Sequence, residues 1–345
     1  RDRSVSRGLG DVYKRQTQYI DIAKGISIIC IVLLHFEDGL FPQQLNTFIG
    51  SFMISMFYIV AGWIDALHHE QRTLKELIKK RWRQLGIPYI LWTIIILVFD
   101  CILWTLDYYD NYFIGREVYK TLTLRGIGTL WFLPALFSGE ILWYIIRKKK
   151  SISIILITLA LILVYQHFYY NIFDGRTDSS SKIIEAPFRT VSNVLSAWIG
   201  IATGYGFCRM RLSYPVLFNN KSKQICFGLL LCLIAYYTAN YWPIPFLWGL
   251  LAPLLGPIGI ILIIMAIEKW SILAYFDYWG RHSLILMVTH YSIIQVICEI
   301  INKTIYNEPH LTGYHALYFF IVTMIVEYFI AELIHRRMPF LLGKH

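Results

Sequence analysis

The sequence predicts an all-α integral membrane protein, built as a polytopic helix bundle. Hydrophobic residues make up 57% of the 345 residues and charged residues only 16%, whereas a soluble domain carries roughly 25% charged residues. Apolar stretches of about 20 residues, the length that crosses a bilayer, recur along nearly the whole chain. Too few polar residues remain to cover a water-exposed surface, so we expect the chain to lie in lipid.

Ten apolar stretches are predicted as transmembrane helices. Their approximate ranges are 20–36, 46–67, 86–106, 129–147, 152–170, 190–208, 224–241, 246–267, 282–302 and 315–335. The loops between them are too short to form separate domains, which predicts a single membrane domain over residues 17–345. Residues 1–16 are basic, polar and without hydrophobic periodicity, and they resemble a translated adapter sequence. We interpret them as a non-native or disordered tail.

The distribution of positive charge predicts that both termini lie in the cytoplasm. Most loop Lys and Arg residues fall in alternate loops, 68–85, 147–150, 209–223, 268–281 and 336–345. The opposite loops hold only Arg116, Lys120, Arg125, Arg176, Lys182, Arg189 and Lys303. An excess of Lys and Arg marks cytoplasmic loops. The net charge of +10 therefore indicates membrane orientation, and we expect no nucleic-acid partner.

The six cysteines indicate neither a metal site nor a disulfide framework. They lie within or at the ends of apolar stretches, at Cys30, Cys101, Cys208, Cys226, Cys232 and Cys298. Their spacing does not match that of metal ligands. We expect free thiols that pack like small hydrophobic residues, and no bound metal.

Two ionisable residues in the first predicted span are the main candidates for function, because a charge at mid-bilayer costs at least about 2.5–3.5 kcal/mol. Lys24 and His35 are eleven residues apart. In a helix this is three turns, which puts them on nearly the same face and about 16 Å apart along the axis. Together they predict one polar pathway. The alternatives are a lysine that extends to the inner interface and an ordinary interfacial histidine.

For the other polar residues in the predicted spans, a structural role and a functional role agree equally well with the sequence. His290 lies about two turns into the ninth span, where a histidine can also be a structural hydrogen-bond donor. We expect the buried carboxylates to act mainly in helix packing, with one of them a candidate partner for Lys24, His35 or His290. These carboxylates are Asp100, Glu140, Glu299 and Glu327. Glu37 and Asp38 flank His35, either orienting its ring or lying as solvated loop acids.

Five segments, taken in order, resemble the acyltransferase-3 family of integral membrane O-acyltransferases. The first is DIAKGISIICIVLLH (21–35), in which Lys24 and His35 match the family's opening signature of Arg or Lys, ten residues, then His. The others are FMISMFYIVAGW (52–63), KKRWRQLGIPYILW (79–92), TLWFLPALF (129–137) and WGRHSLILMVTH (279–290). The resemblance covers roughly residues 17–335. The Lys-Gly form of the first segment is similar to the fucose 4-O-acetylase-like branch.

The resemblance implies a bacterial cytoplasmic-membrane enzyme that transfers an acyl group, usually acetyl from acetyl-CoA, to a hydroxyl of an envelope sugar or polysaccharide. His35 is then expected to be the general base. His290 or Ser283 is expected to stabilise the oxyanion. The CoA phosphates are assigned to the basic segment 72–83, above all Arg81 and Arg83, with help from Lys24. For that segment, the general excess of Lys and Arg in cytoplasmic loops is an equally good explanation.

Two other function classes remain open at this stage. A ten-helix bundle with buried Lys, His and Glu is compatible with a secondary transporter or a lipid-linked sugar flippase, although the paired interrupted helices that such folds often show are not apparent. A membrane sensor or scaffold is less favoured, because the sequence offers no soluble output domain. Membrane lipid and a glycan acceptor are the expected partners.

Overall fold

The computed structural model describes residues 2–36, 41–67, 73–149, 151–173, 175–176, 179–241, 245–296 and 314–344. Within these ranges the regular elements are all helical, which confirms the predicted fold class. The α-helices are α1 (Asp2–Leu34), α2 (Gln43–Phe52), α3 (Ser55–Leu67), α4 (Leu74–Arg81), α5 (Ile87–Thr105), α6 (Asn111–Leu122), α7 (Phe132–Lys148), α8 (Ile152–Phe173), α9 (Ser179–Ser213), α10 (Pro215–Phe218), α11 (Lys221–Tyr241), α12 (Pro245–Ile267), α13 (Leu273–Arg281), α14 (Ser283–Gln295) and α15 (Tyr314–Arg337). A 3-10 turn, Pro339–Leu342, follows α15.

Within the described ranges, six helical segments are long and apolar enough to cross a bilayer, judged by length and composition. They are Gln43–Leu67, Leu74–Thr105, Ile152–Phe173, Lys221–Tyr241, Leu250–Ile267 and Ala316–Arg337. These match six of the ten predicted spans. The other four fall on α1, α7, α9 and α14, of which α7 has only 17 residues and α14 is a shorter apolar helix. The chain is thus a multi-pass membrane protein, while the count of ten and the cytoplasmic termini stay predictions.

Two of these helices present large apolar side chains on the outside of the molecule. On α5, Ile94 and Val98 are 53% and 56% exposed, and on α8, Ile157 and Leu161 are 60% and 65% exposed. Contiguous apolar surface of this kind is uncommon on soluble proteins. A helix satisfies its own backbone hydrogen bonds and can therefore face hydrocarbon. We expect these faces to lie against lipid tails.

The first helix is longer than the sequence predicted. It begins at Asp2, inside the segment 1–16 that was expected to be disordered. No proline interrupts residues 1–16, so a helix there can continue into the first apolar stretch. A non-native origin for the segment stays a prediction.

The described chain divides into two compact units that interleave along the sequence. One comprises Arg1–Leu67, Thr203–Leu286 and Tyr306–Ile321, and the other comprises His68–Ala202, Met287–Ile305 and Val322–His345. In the first unit, the indole of Trp63 is completely buried and donates a hydrogen bond to the Tyr19 hydroxyl at 3.0 Å. This bond ties α3 to α1, the helix that carries Lys24.

In the second unit, α4 leads into α5 through a π-helical turn, Trp82–Gly86. The cause is Pro88, which has no N–H to donate and whose ring would clash with the carbonyl four residues earlier, that of Gln84. The backbone widens instead, and the Ile87 N–H bonds to the Trp82 carbonyl five residues back. Such single-turn bulges occur often at functional sites. This one begins at the end of the basic segment 72–83 that is predicted to bind CoA.

Candidate active site

His35 lies at the C-terminal end of α1, and its ring orientation follows from one hydrogen bond. Nδ1 is 2.7 Å from the carbonyl oxygen of Ile31, one of the last carbonyls of the helix, which have no partner within it. A carbonyl oxygen only accepts, so Nδ1 must carry the proton. In the neutral imidazole the lone pair is then on Nε2, which is the nitrogen a general base requires.

The residue after His35 anchors this end of the helix. Phe36 is 2% exposed, and its ring lies 6.3 Å from that of Phe320 in an edge-to-face arrangement. His35 itself is exposed on the surface of the described chain. A buried neighbour thus holds the backbone while the imidazole stays accessible to a substrate.

Lys24 belongs to a four-residue charge cluster in the first unit. Its Nζ lies 2.6 Å from Oδ1 of Asp21, one turn earlier on α1. On α13, Arg281 donates from Nη2 to Oδ2 of Asp277 at 2.5 Å. Burial raises the pKa of the Asp277 carboxyl, Asp21 adds to that rise, and Arg281 and Lys24 oppose it. Each pair therefore influences the other, and the two carboxylates balance the two cations.

Two glycines bring α1 and α13 together at this cluster. A Cβ built on Gly25 would lie 1.8 Å from the Phe276 carbonyl oxygen, and one on Gly280 would lie 1.7 Å from the Asp21 carbonyl oxygen. Only glycine permits so close an approach of two backbones. Both glycines belong to segments that carried the family resemblance, 21–35 and 279–290. The sequence analysis missed Asp277 and Arg281, although the glycine in each segment was the signal that could have found them.

Arg81 and Arg83, the predicted CoA phosphate ligands, have different surroundings. The Arg81 guanidinium donates to Oε1 of Glu140 at 2.6 Å and to the side chain of Gln84 at 2.8 Å. The Glu140 side chain is only 8% exposed, so this ion pair fastens α4 to α7. Arg83 is exposed and is the more accessible of the two cations. Their role in binding CoA stays a prediction.

His290 is completely buried in the second unit. Next to it, the Thr289 hydroxyl lies 3.0 and 2.8 Å from the two carboxylate oxygens of Glu327. The hydroxyl of Thr129 donates to the Met287 carbonyl at 2.5 Å, which joins segments 129–137 and 279–290. A packing role for Glu327 agrees with the sequence expectation, and a catalytic role for His290 stays a prediction.

An apolar cavity of about 430 Å³ borders the same stretch of α14. It lies among α5, α14 and α15, and Trp92, Phe99, Thr289 and Val326 are among its lining residues. A lining of this composition suits a hydrocarbon chain better than a polar ligand.

The predicted site residues fall into two sets. Lys24 and His35 lie in the first unit, Lys24 on α1 and His35 directly after its last residue, whereas Arg81, Arg83 and His290 lie in the second. Glu37, Asp38 and Glu299 lie outside the described residues. A single polar pathway joining Lys24 and His35 stays a prediction.

The long apolar helices define a multi-pass membrane protein. The chain matches the model of the acyltransferase-3 family, described as an acyltransferase domain, over residues 17–332. It therefore belongs to that family and is an acyltransferase, which confirms the resemblance seen in the sequence. No curated protein and no solved structure matches the chain.

Proposed function

We propose that this acyltransferase transfers an acyl group, preferably acetyl, from acyl-CoA to a hydroxyl of an envelope sugar or polysaccharide in the bacterial cytoplasmic membrane. The Lys24-Gly25 form of the first segment supports a place in the fucose 4-O-acetylase-like branch. The observation that carries the proposal is the hydrogen bond from His35 Nδ1 to the Ile31 carbonyl. It sets the tautomer of an exposed imidazole, with the proton on Nδ1, in a chain that belongs to an acyltransferase family.

In the proposed reaction, His35 Nε2 removes the proton of the acceptor hydroxyl as the oxygen attacks the thioester carbonyl carbon. A C–O bond forms, the C–S bond breaks, and the CoA thiolate leaves and takes up a proton. The Nδ1–H bond to Ile31 fixes the ring and stabilises the imidazolium, as an orienting acceptor does in other histidine bases. The oxyanion needs a donor, for which His290 and Ser283 remain the candidates.

The donor end of the reaction is assigned to the basic residues near the cytoplasmic face. Arg83 is exposed and can meet a CoA phosphate directly. Arg81 is already paired with Glu140, so a phosphate there would compete with the carboxylate. We propose that Lys24, whose ammonium group pairs with Asp21, also helps to bind CoA from its position on α1 in the first unit.

The variant His35→Asn tests the proposal most sharply. Asparagine keeps a side-chain N–H that can bond to the Ile31 carbonyl but has no basic nitrogen, and loss of a general base lowers rates by about 10²–10⁴-fold. We expect a loss of this size in release of CoA thiol and in labelling of a glycan extract by acetyl-CoA, with purified protein in detergent and no gradient.

His282→Gln is the matched control, because the His282 ring bonds through Nδ1 to the Tyr278 carbonyl four residues back at 2.9 Å, as His35 does to Ile31. It is expected to retain the wild-type rate. Full activity of His35→Asn would remove His35 from the chemistry. Absence of CoA release by the wild-type protein, with transport of a glycan in its place, would favour the transporter class.

A further inference from the structure

A polar cavity of about 720 Å³ lies in the second unit among α6, α8 and α9. Among the residues that the structure describes, the lining contains one carboxylate, that of Glu185, and six Lys and Arg residues: Arg116, Lys120, Arg125, Arg176, Lys182 and Arg189. These are all but one of the cations that the sequence assigns to the non-cytoplasmic loops. Positive charge is scarce on that side of the membrane, and here it converges on a single cavity.

Helical periodicity puts these side chains on facing surfaces. On α6, Tyr112, Arg116 and Tyr119 recur at intervals of four and three residues, which places them on one face. On α9, the lining runs from Lys182 to Ser196 at the same kind of spacing. Two helix faces therefore form much of the cavity wall, and α8 and the turns that hold Arg125 and Arg176 complete it.

Hydrogen bonds between helices hold the cavity wall in place. Pro187 in α9 cannot donate to the Ile183 carbonyl four residues earlier, and the Tyr119 hydroxyl donates to that carbonyl at 3.0 Å. From α8, the Gln166 side chain donates to the Ser192 carbonyl at 3.0 Å and accepts from the Ser192 hydroxyl at 2.8 Å. A cavity with fixed walls loses little conformational entropy when it binds a ligand.

Within the described part of the chain, the carboxylates at the cavity are fewer than the cations. Glu117, 2% exposed, accepts from both Arg116 and Lys120 at 2.8 Å, and Arg189 pairs with Glu185 at 3.1 Å. Among the residues that the structure describes, Arg125 has no carboxylate within ion-pair distance. Burial, and next the nearby Arg189, lower the pKa of Arg125, while Glu185, Tyr169 and Glu117 oppose that shift, so a bound anion would further stabilise the charged guanidinium.

The backbone beside Arg125 is held in an uncommon conformation. Leu124 has φ 55°, in the left-handed region, and Gly126 has φ 70°. The Gly126 N–H closes the end of α6 by bonding to the Lys120 carbonyl at 3.0 Å. A non-glycine residue in this region costs of order 1–3 kcal/mol, and such strain clusters at ligand sites. The turn sets the position of Arg125 at the cavity.

Five aromatic residues also line the cavity. Tyr112, Tyr119, Tyr169, Tyr170 and Phe173 all border the cavity. Tyrosine offers an apolar ring face together with a hydroxyl for hydrogen bonding. Guanidinium groups pair with carboxylate or phosphate oxygens in a two-pronged geometry. Ring faces, hydroxyls and excess cations together suit a sugar that carries acidic groups.

We propose that this cavity binds a saccharide that bears carboxylate or phosphate groups. The inference rests on the proposed function, which supplies the sugar, and on the predicted orientation, which puts the cavity on the side away from CoA. It narrows the class of saccharide from envelope sugars in general to acidic ones.

Direct binding to the full-length protein in detergent, without acyl-CoA, tests the inference separately from catalysis. The probes are oligogalacturonate, a neutral glucose oligomer of equal length, a hexose phosphate and CoA, measured by calorimetry. We expect both acidic saccharides to bind, and the neutral oligomer to bind at least about tenfold more weakly. Raising the salt concentration should weaken binding of the acidic probes. Equal binding of neutral and acidic oligomers would overturn the proposal, as would CoA binding that displaces the saccharide.

Arg125→Gln and Arg189→Gln should each weaken binding of the acidic probes by about tenfold or more, whereas Lys223→Gln, at an exposed site on α11, should leave it unchanged. Unaltered binding in both arginine variants would refute the site. If a variant does not fold, the salt dependence and the neutral comparison on the wild-type chain still decide. Binding of acidic sugars without acyl transfer would count against the proposed function while leaving this site intact.

Discussion

Replacing Gly25 by alanine tests whether the backbone contact between α1 and α13 positions Lys24. The new Cβ would lie 1.8 Å from the Phe276 carbonyl oxygen, where under 3.0 Å something must shift. Because the neighbour is backbone, the two helices must separate by more than about 1 Å. Overpacking of this kind costs about 1–3 kcal/mol, and a displacement of about 1 Å at a catalytic group lowers rates by about 10²-fold.

The assay compares acyl transfer from acetyl-CoA with the apparent melting temperature in detergent. Gly280→Ala meets the Asp21 oxygen at 1.7 Å and should reproduce both losses, while Gly206→Ala, with nothing within 4 Å of its Cβ, is the matched control in the same unit. The control should be neutral or more stable by about 0.4–1 kcal/mol. Wild-type rate and stability in Gly25→Ala would show that the glycine contact does not position Lys24.

Two further predictions concern buried charge. Arg81→Met should lower the free energy of unfolding by about 3 kcal/mol, the lower end for a broken buried pair, because the Arg81 side chain is 23% exposed. Thermal unfolding should show this loss, and adding Glu140→Gln to the same chain should restore part of it. An unchanged stability in Arg81→Met would show that the ion pair does not stabilise the fold. For Asp277 the pKa is raised in the folded state, so the folded state binds the extra proton and its contribution to stability falls as pH rises above the unfolded value of about 3.9. Asp277→Asn should therefore gain in melting temperature relative to wild type from pH 4.5 to pH 7.5, and a constant difference would contradict the assignment.

The sequence predicted those features that depend on local pattern. Apolar length and the helical period are properties of single stretches, so the helices, and the placement of Lys24 on one of them with His35 at its C-terminal end, follow without coordinates. Even there, α1 extends beyond the predicted start.

Features that depend on packing between distant stretches were out of reach. The partner of Arg81 is 59 residues away, and Asp277 reaches the neighbourhood of Lys24 only because two glycines let two helices touch. The sequence assigned the six cations of the cavity among α6, α8 and α9 only to the non-cytoplasmic side of the membrane. Their convergence results from the packing of α6, α8 and α9 and of the turns that carry Arg125 and Arg176.

The π-helical turn before Pro88 affects the orientation of residues beyond its own five. One extra residue in a helix advances the phase of everything beyond it by about 100°. On one side of the turn lies the charged surface of α4, and on the other lies the hydrocarbon-facing surface of α5. Pro88 therefore determines the direction in which the cations of α4 point relative to the apolar face of α5. Shortening the turn by one residue would redirect Lys79 and Lys80 without altering either of them.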